Sequence, residues 1–150
     1  MPDGRLINFT YDEQGLLSGI STISNISYNE KNNPVMINYA NGLLTNYSYN
    51  SSNLRLLEIK TSNKQDLDYQ YDAVGNVMSI QDGIHNINYS MSYDPLNRLT
   101  STNIMGPFIV GFNFIYDQLG NLRNVTGDYA TDYYYQDTRP HATSRVVFYW

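Results

Sequence analysis

The chain contains no cysteine. Disulfides, thiol chemistry and cysteine-type zinc sites are thereby excluded, although no compartment follows from this. Strong helix formers are scarce: Ala, Glu and Lys together supply 10 of the 150 residues, fewer than the 15 Tyr, which excludes an all-α fold. Charged residues make up 15% of the chain, against roughly 25% in an average globular protein, so there is little material for a charged disordered tail. With six Arg, three Lys and a formal net charge of −5, no basic surface exists for a phosphate backbone, and nucleic acid is not an expected partner. Apolar runs last a few residues, far short of the roughly 18–20 of a membrane-spanning helix. Behind Met1-Pro2-Asp3-Gly4-Arg5 there is no apolar core of a signal peptide, so any export signal is expected outside this sequence.

What the chain does have is tyrosine, asparagine and repetition. Tyr71-Asp72-Ala73-Val74-Gly75-Asn76-Val77 recurs as Tyr93-Asp94-Pro95-Leu96-Asn97-Arg98-Leu99 and as Tyr116-Asp117-Gln118-Leu119-Gly120-Asn121-Leu122. An earlier copy is Tyr11-Asp12-Glu13-Gln14-Gly15-Leu16-Leu17, and looser copies begin at Tyr28, Tyr49 and Tyr135. The gaps between these tyrosines are 17, 21, 22, 22, 23 and 19 residues, with one more degenerate copy starting at Tyr39. A fixed period near this length marks a repeat architecture.

The chemistry of one unit predicts a hairpin. Four residues after the leading Tyr stands Gly15, Asn32, Asn53, Gly75, Asn97 or Gly120, the two residue types that accept the positive φ of a tight reversal. The Asp after Tyr (Asp12, Asp72, Asp94, Asp117) can bond the turn backbone in an Asx-turn, so its role is read as structural. Pro95 suits the first corner of such a turn. Before the turns the aromatics alternate, as in Tyr47 and Tyr49, Tyr69 and Tyr71, Tyr89, Met91 and Tyr93, or Phe112, Phe114 and Tyr116. Alternation of this kind places them on one face of a strand with polar residues on the other. Leu17, Val77, Leu99 and Leu122 are expected on the same apolar face. Breaks at Asp3-Gly4, Asn41-Gly42, Asp82-Gly83, Gly106-Pro107 and Gly127-Asp128 are expected to close the opposite end of each unit. The predicted fold is all-β: about seven consecutive antiparallel hairpins in a twisted open strip, as one repeat region over residues 1–150 with no linker.

Constellations that carry chemistry are not found. His85 and His141 stand 56 residues apart with no carboxylate or thiol at ligand spacing, so no metal site is expected. No nucleophile elbow, phosphate-binding glycine loop or His-Glu-x-x-His motif occurs. Asp66 and Asp68 share a strand face, but a solvated edge is the expectation rather than an acid–base pair. The turns lack the alternating acidic spacing of a calcium loop. Neither catalytic residues nor a cofactor is expected. Six Asn-x-Ser/Thr triplets (Asn8, Asn25, Asn46, Asn50, Asn88, Asn124) are glycan acceptors in form, yet 19 Asn and 23 Ser plus Thr yield about three by composition.

The units at Tyr71, Tyr93 and Tyr116 resemble the YD repeats of the Rhs/YD-repeat superfamily, which includes Rhs polymorphic toxins, wall-associated proteins, the B and C components of insecticidal Tc toxins, and teneurins. Arg139-Pro140-His141-Ala142-Thr143-Ser144 is similar to a segment frequent in its prokaryotic members. The resemblance implies a strand array that belongs to a hollow β-shell, secreted or at a cell surface, enclosing or presenting a toxin or adhesion domain. It implies as partners the neighbouring YD repeats or a C-terminal cargo domain. The chain holds too few repeats to close a shell and carries no cargo, so it is expected to be a segment. The other reading keeps the same strip but makes Tyr69, Tyr93 and Tyr116 stacking platforms for cell-surface carbohydrate.

Overall fold

The computed structural model describes residues 7–127, 130–136 and 139–149. Every regular element among them is a strand, and no helix is long and apolar enough to cross a membrane. By packing, the chain forms two units, one running through Tyr69 together with Asp82–Ile84, the other Gln70–Gln81 with His85 onward. The first holds β1 (Phe9–Tyr11), β2 (Leu17–Ile20), β3 (Ile23–Tyr28), β4 (Pro34–Tyr39), β5 (Leu44–Tyr49), β6 (Leu56–Thr61) and most of β7 (Gln65–Tyr71). The second holds most of β8 (Val77–Asp82), then β9 (Ile87–Tyr93), β10 (Leu99–Met105), β11 (Ile109–Tyr116), β12 (Leu122–Gly127), β13 (Ala130–Gln136) and β14 (Arg139–Tyr149).

Sheet order follows sequence order from β1 to β14 without a crossover, in one open, antiparallel sheet. A chain of short turns leaves no other economical path, because each strand pairs with the one its turn delivers. Register fixes which residues share a face. Tyr89 stands opposite Ile104, which stands opposite Val110; Met91, Thr102 and Phe112 form the next row. On the reverse face Ser90, Asn103 and Gly111 align, and so do Ser92, Ser101 and Asn113. Leu17, Leu99 and Leu122 lie opposite Tyr11, Tyr93 and Tyr116, on the aromatic side as their spacing implied.

The alternation is cleanest in β9, where Ile87, Tyr89, Met91 and Tyr93 are half-buried while Asn88, Ser90 and Ser92 are exposed. Even so, no apolar side chain among the described residues is buried; the aromatic stripe is shielded only partway. The deepest polar group is Thr45, 2% exposed, whose hydroxyl pairs with that of the cross-strand Thr61 at 2.7 Å. With no buried apolar core, the backbone ladder and lateral side-chain contacts carry more of the stability than in a two-layer domain.

Candidate functional site: the tyrosine and aspartate turns

Each Tyr-Asp unit closes one end of a hairpin by the same wiring. In the turn at Asp12 the N–H groups of Gln14 and Leu16 donate to Asp12 Oδ1 at 3.0 and 2.8 Å. The N–H of Gly15 donates to the Asp12 carbonyl, and that of Asp12 to the Leu16 carbonyl. Asp94 receives Leu96 and Arg98 at 2.9 Å each, and Asp117 receives Leu119 at 3.0 Å and Asn121 at 2.9 Å. Asp72 takes the N–H groups of Val74, Gly75 and Asn76. Such a turn needs one left-handed residue, and Gly120 (φ +88°) and Asn97 (φ +59°) supply it. The geometry matches a type I turn followed by a bulge, and the pairing register slips by one residue beside Tyr11, Tyr28, Tyr49, Tyr93 and Tyr116.

The leading tyrosines reach across to the preceding repeat. The hydroxyl of Tyr28 donates to the Leu17 carbonyl at 2.7 Å, and those of Tyr49, Tyr93, Tyr116 and Tyr135 donate to Pro34, Val77, Leu99 and Leu122 at 2.9 Å each. Every acceptor is the first residue of the strand that leaves the previous turn. Each of these hydroxyls thus has a backbone partner that residue spacing does not announce. The signal present in the sequence was the choice of Tyr, never Phe, at each leading position.

The fifth residue of the turn binds backward and forward. Asn76 Nδ2 donates to Asp72 Oδ2 and to Asn97 Oδ1 in the next turn, both at 2.9 Å. Arg98 holds Asp94 Oδ2 with Nε at 2.7 Å and Nη2 at 2.6 Å, while Nη1 reaches the Asp117 carbonyl at 3.3 Å. Its guanidinium also lies 4.7 Å from the centroid of the Tyr116 ring. Asn121 Nδ2 donates to Asp117 Oδ2, and its Oδ1 is 2.9 Å from His141 Nδ1. Within the second unit, successive turns are therefore joined side chain to side chain or side chain to backbone.

This wiring holds the carboxylates in their charged form. The N–H of Arg98 lowers the Asp94 pKa, helped by the Arg98 side chain against an opposing desolvation. At Asp117 the Asn121 amide is the leading cause of a lowered value. Desolvation raises Asp72, yet the bonds from Asn76, Gly75 and Val74 outweigh it and the value is lowered. Desolvation raises Tyr93, and the nearby Asp72 charge adds to it. All these groups are occupied as acceptors or donors of structural bonds, which leaves them poorly suited to proton transfer.

Two sequence expectations are corrected. Asn53 does not take the left-handed position: Leu54 does, at φ +60°, because this turn is one residue longer, closed by the Leu54 N–H on the Asn50 carbonyl. Asn53 instead receives the Arg55 N–H on its Oδ1. Tyr39 does not lead a copy of the motif; it occupies the Asp place of a turn, with the N–H of Gly42 on its carbonyl, at the other end of β4. The turn of the copy at Tyr135 and the breaks at Asp3-Gly4 and Asp128 lie outside the described residues.

The remaining candidates are placed as follows. Tyr69 is half-buried on β7 in the strands around the first unit, whereas Tyr71, Asp72 and Gly75 begin the turns of the second. Tyr93 and Tyr116 are half-buried with bonded hydroxyls, and Arg98 covers part of the Tyr116 ring. Asp66 accepts a 2.8 Å bond from Lys60, while Asp68 stands opposite Glu58 and is exposed. Among the described residues no three His, Cys, Asp or Glu converge as metal ligands.

No protein-family model and no curated protein matches the sequence. Solved structures do. The crystal structure of TcdB2-TccC3-Cdc42 aligns with a TM-score of 0.79 and 24% identity, covering 95% of this chain and 9% of that one. TcdB2-TccC3 aligns at 0.76 and 24% over 84% of this chain, and the form without its hypervariable C-terminal region at 0.77 and 23% over 95%; each match again covers 9% of the larger chain. The chain thus spans about a tenth of the length of the structures it matches. This chain therefore has the fold of one stretch of those structures.

Proposed function

We propose that the chain is a non-enzymatic structural segment of an Rhs/YD-repeat shell, one continuous repeat region whose parent encapsulates or presents a toxin or adhesion domain outside the cell. Its partners in that role are neighbouring YD repeats and a C-terminal cargo domain. The observation that carries this reading is the use of the motif residues: each Asp carboxylate is committed to its own turn, and the bonded Tyr hydroxyls to the backbone of the repeat before. A side chain held in that way supports a scaffold, its first bonds being spent on the turn and the backbone. The occurrence of the same fold in TcdB2-TccC3 with and without a hypervariable C-terminal region supports a scaffold role as well.

The carbohydrate reading has weaker support, since Arg98 lies over the Tyr116 ring and the Tyr93 hydroxyl is already bonded. The two readings separate in a glycan array followed by equilibrium titration. The scaffold reading expects no saturable binding. Saturable binding lost in Tyr69→Ala and Tyr93→Ala proteins that keep their β-sheet circular dichroism would replace it with the lectin reading. Hydrolase turnover abolished by Asp66→Ala would overturn both.

A further inference from the structure

The hydroxyl bonds between repeats follow one register rule. A leading tyrosine donates to the carbonyl of the residue that stands opposite the leading tyrosine before it: Leu17 opposite Tyr11, Pro34 opposite Tyr28, Leu99 opposite Tyr93 and Leu122 opposite Tyr116. At three of these contacts the strands then begin to pair at a fixed offset, two residues beyond the acceptor and three before the donor. The pairs are Met36 with Asn46, Ser101 with Asn113 and Asn124 with Asp132.

This rule leaves one half of the bond on each outermost strand. On β14 Thr143 stands opposite Tyr135, so its carbonyl is the acceptor for a leading tyrosine that the described residues do not include. On β1 Tyr11 is a leading tyrosine with no repeat before it among the described residues. Exposure marks both edges. Thr143, Ser144, Arg145 and Val146 are exposed, whereas Leu99 through Thr102, at the same places of β10, are half-buried beside β11. Ile7, Phe9 and Tyr11 are 37%, 57% and 63% exposed, whereas the corresponding Phe112, Phe114 and Tyr116 of β11 are half-buried. An unpaired edge of this kind is a template for another strand.

We propose that the outer edge of β14 binds β1 of a second copy of this chain, antiparallel, with the Tyr11 hydroxyl of the incoming copy on the Thr143 carbonyl. Continuity with the contact inside the sheet is what assigns the occupant. The chain itself carries both halves of that contact, donor on one edge and acceptor on the other, each on the strand that the next repeat would cover. The fixed offset sets Asn8 of the incoming copy opposite Arg145 and its Ile7 opposite Val146, so no like charges face each other and an apolar residue faces an apolar one. The contact is heterologous, head to tail, and β1 is three residues long, so association is weak and is not limited to the dimer.

The test is sedimentation equilibrium of the full chain over a concentration series, alone and in mixtures. The wild type is expected to associate as its concentration rises. Ile7→Lys with Phe9→Lys blocks one edge, and Val146→Lys with Phe148→Lys blocks the other. Each blocked protein alone is expected to stay monomeric with the circular dichroism of the wild type. An equimolar mixture of the two is expected to form a dimer and stop there, because it holds one intact edge of each kind. Tyr11→Phe is expected to weaken wild-type association about twofold to tenfold and leave urea unfolding of the monomer unchanged, the reverse of Tyr93→Phe, which removes an interior bond. Where a blocked protein loses its spectrum, Tyr11→Phe alone decides. A monomeric wild type, a folded blocked protein that associates with itself, a folded mixture that stays monomeric, or a Tyr11→Phe protein that associates as well as the wild type would overturn the proposal. The proposal rests on the scaffold reading, and its failure is distinguishable from failure of that reading, which the glycan titration tests separately.

Discussion

A tyrosine hydroxyl on a one-layer sheet has water as its easiest partner, yet five of them here donate to a backbone carbonyl one repeat back. Removing such a bond leaves a half-buried carbonyl without its donor, and a net loss of about 0.5–1.5 kcal/mol is the usual result. Tyr93→Phe and Tyr116→Phe should each lower stability by about that amount in urea unfolding, while an unchanged midpoint would show that water replaces the hydroxyl at no cost. The lowered Asp72, Asp94 and Asp117 values fix an acid limit. A depressed folded-state pKa contributes stability that is complete above the unfolded value, about 4, and is lost as pH falls through the folded one. Tyr47, Tyr49 and Tyr93, raised by desolvation first, do the reverse: their contribution is complete below about pH 10 and is lost above it. Thermal melts should therefore be flat in between and fall at both ends, with Asp94→Asn and Asp117→Asn shrinking the acid limb. Backbone conformation gives a third residue-scale test. Leu54 sits at φ +60°, where a side chain is strained, so Leu54→Gly should stabilise by about 1 kcal/mol or less once the entropy of Gly is counted. Gly120→Ala should cost about 1–2 kcal/mol, and Gly120→Asn less, because Asn97 already serves at that place.

At the scale of the hairpin, one side chain ties two turns together. Arg98 closes its own turn through Asp94, reaches the Asp117 carbonyl and covers the Tyr116 ring. Lys has the charge but not the fork, so Arg98→Lys should recover little of the loss seen in Arg98→Ala. A double-mutant cycle of Arg98→Ala with Tyr116→Phe or Tyr116→Leu should show coupling of about 0.5–1 kcal/mol for the ring contact, present for Leu and absent for Phe. How legible the elements were follows from the range of the forces involved. The Asp-to-backbone turn is local, closed within five residues, and Tyr-Asp-x-x-Gly announced it at Asp12, Asp72 and Asp117. Strand faces were readable for the same reason, since alternation is a property of neighbours. The Tyr hydroxyl acceptors were not readable, because a carbonyl 11–17 residues away has no residue-type signature. Asn53 misled for a subtler reason: Asn at that spacing suited the left-handed place, but one additional residue in the turn moved the place to Leu54.

For the whole molecule, the period is the functional statement. A chain whose units at Tyr28, Tyr49, Tyr93, Tyr116 and Tyr135 repeat the same bond to the unit before behaves as a one-dimensional array, stabilised by nearest neighbours rather than by a single core. An enzyme or a lectin depends on residues gathered at one place, and loses its fold or its site when a block is removed. An array tolerates losing a whole unit and does not tolerate losing half of one, since half a unit removes a single strand and reverses the direction of all that follows. The 22-residue step from Tyr71 to Tyr93 allows this to be done in register. The measurement is hydrogen exchange and thermal melting of a protein lacking residues 72–93, with Tyr71 joined to Asp94, beside one lacking only residues 72–82. A scaffold of nearest-neighbour hairpins predicts that the first keeps protected strands and a cooperative melt at a modestly lower temperature, and that the second loses protection from the cut onward. Collapse of protection throughout the protein lacking 72–93 would contradict it.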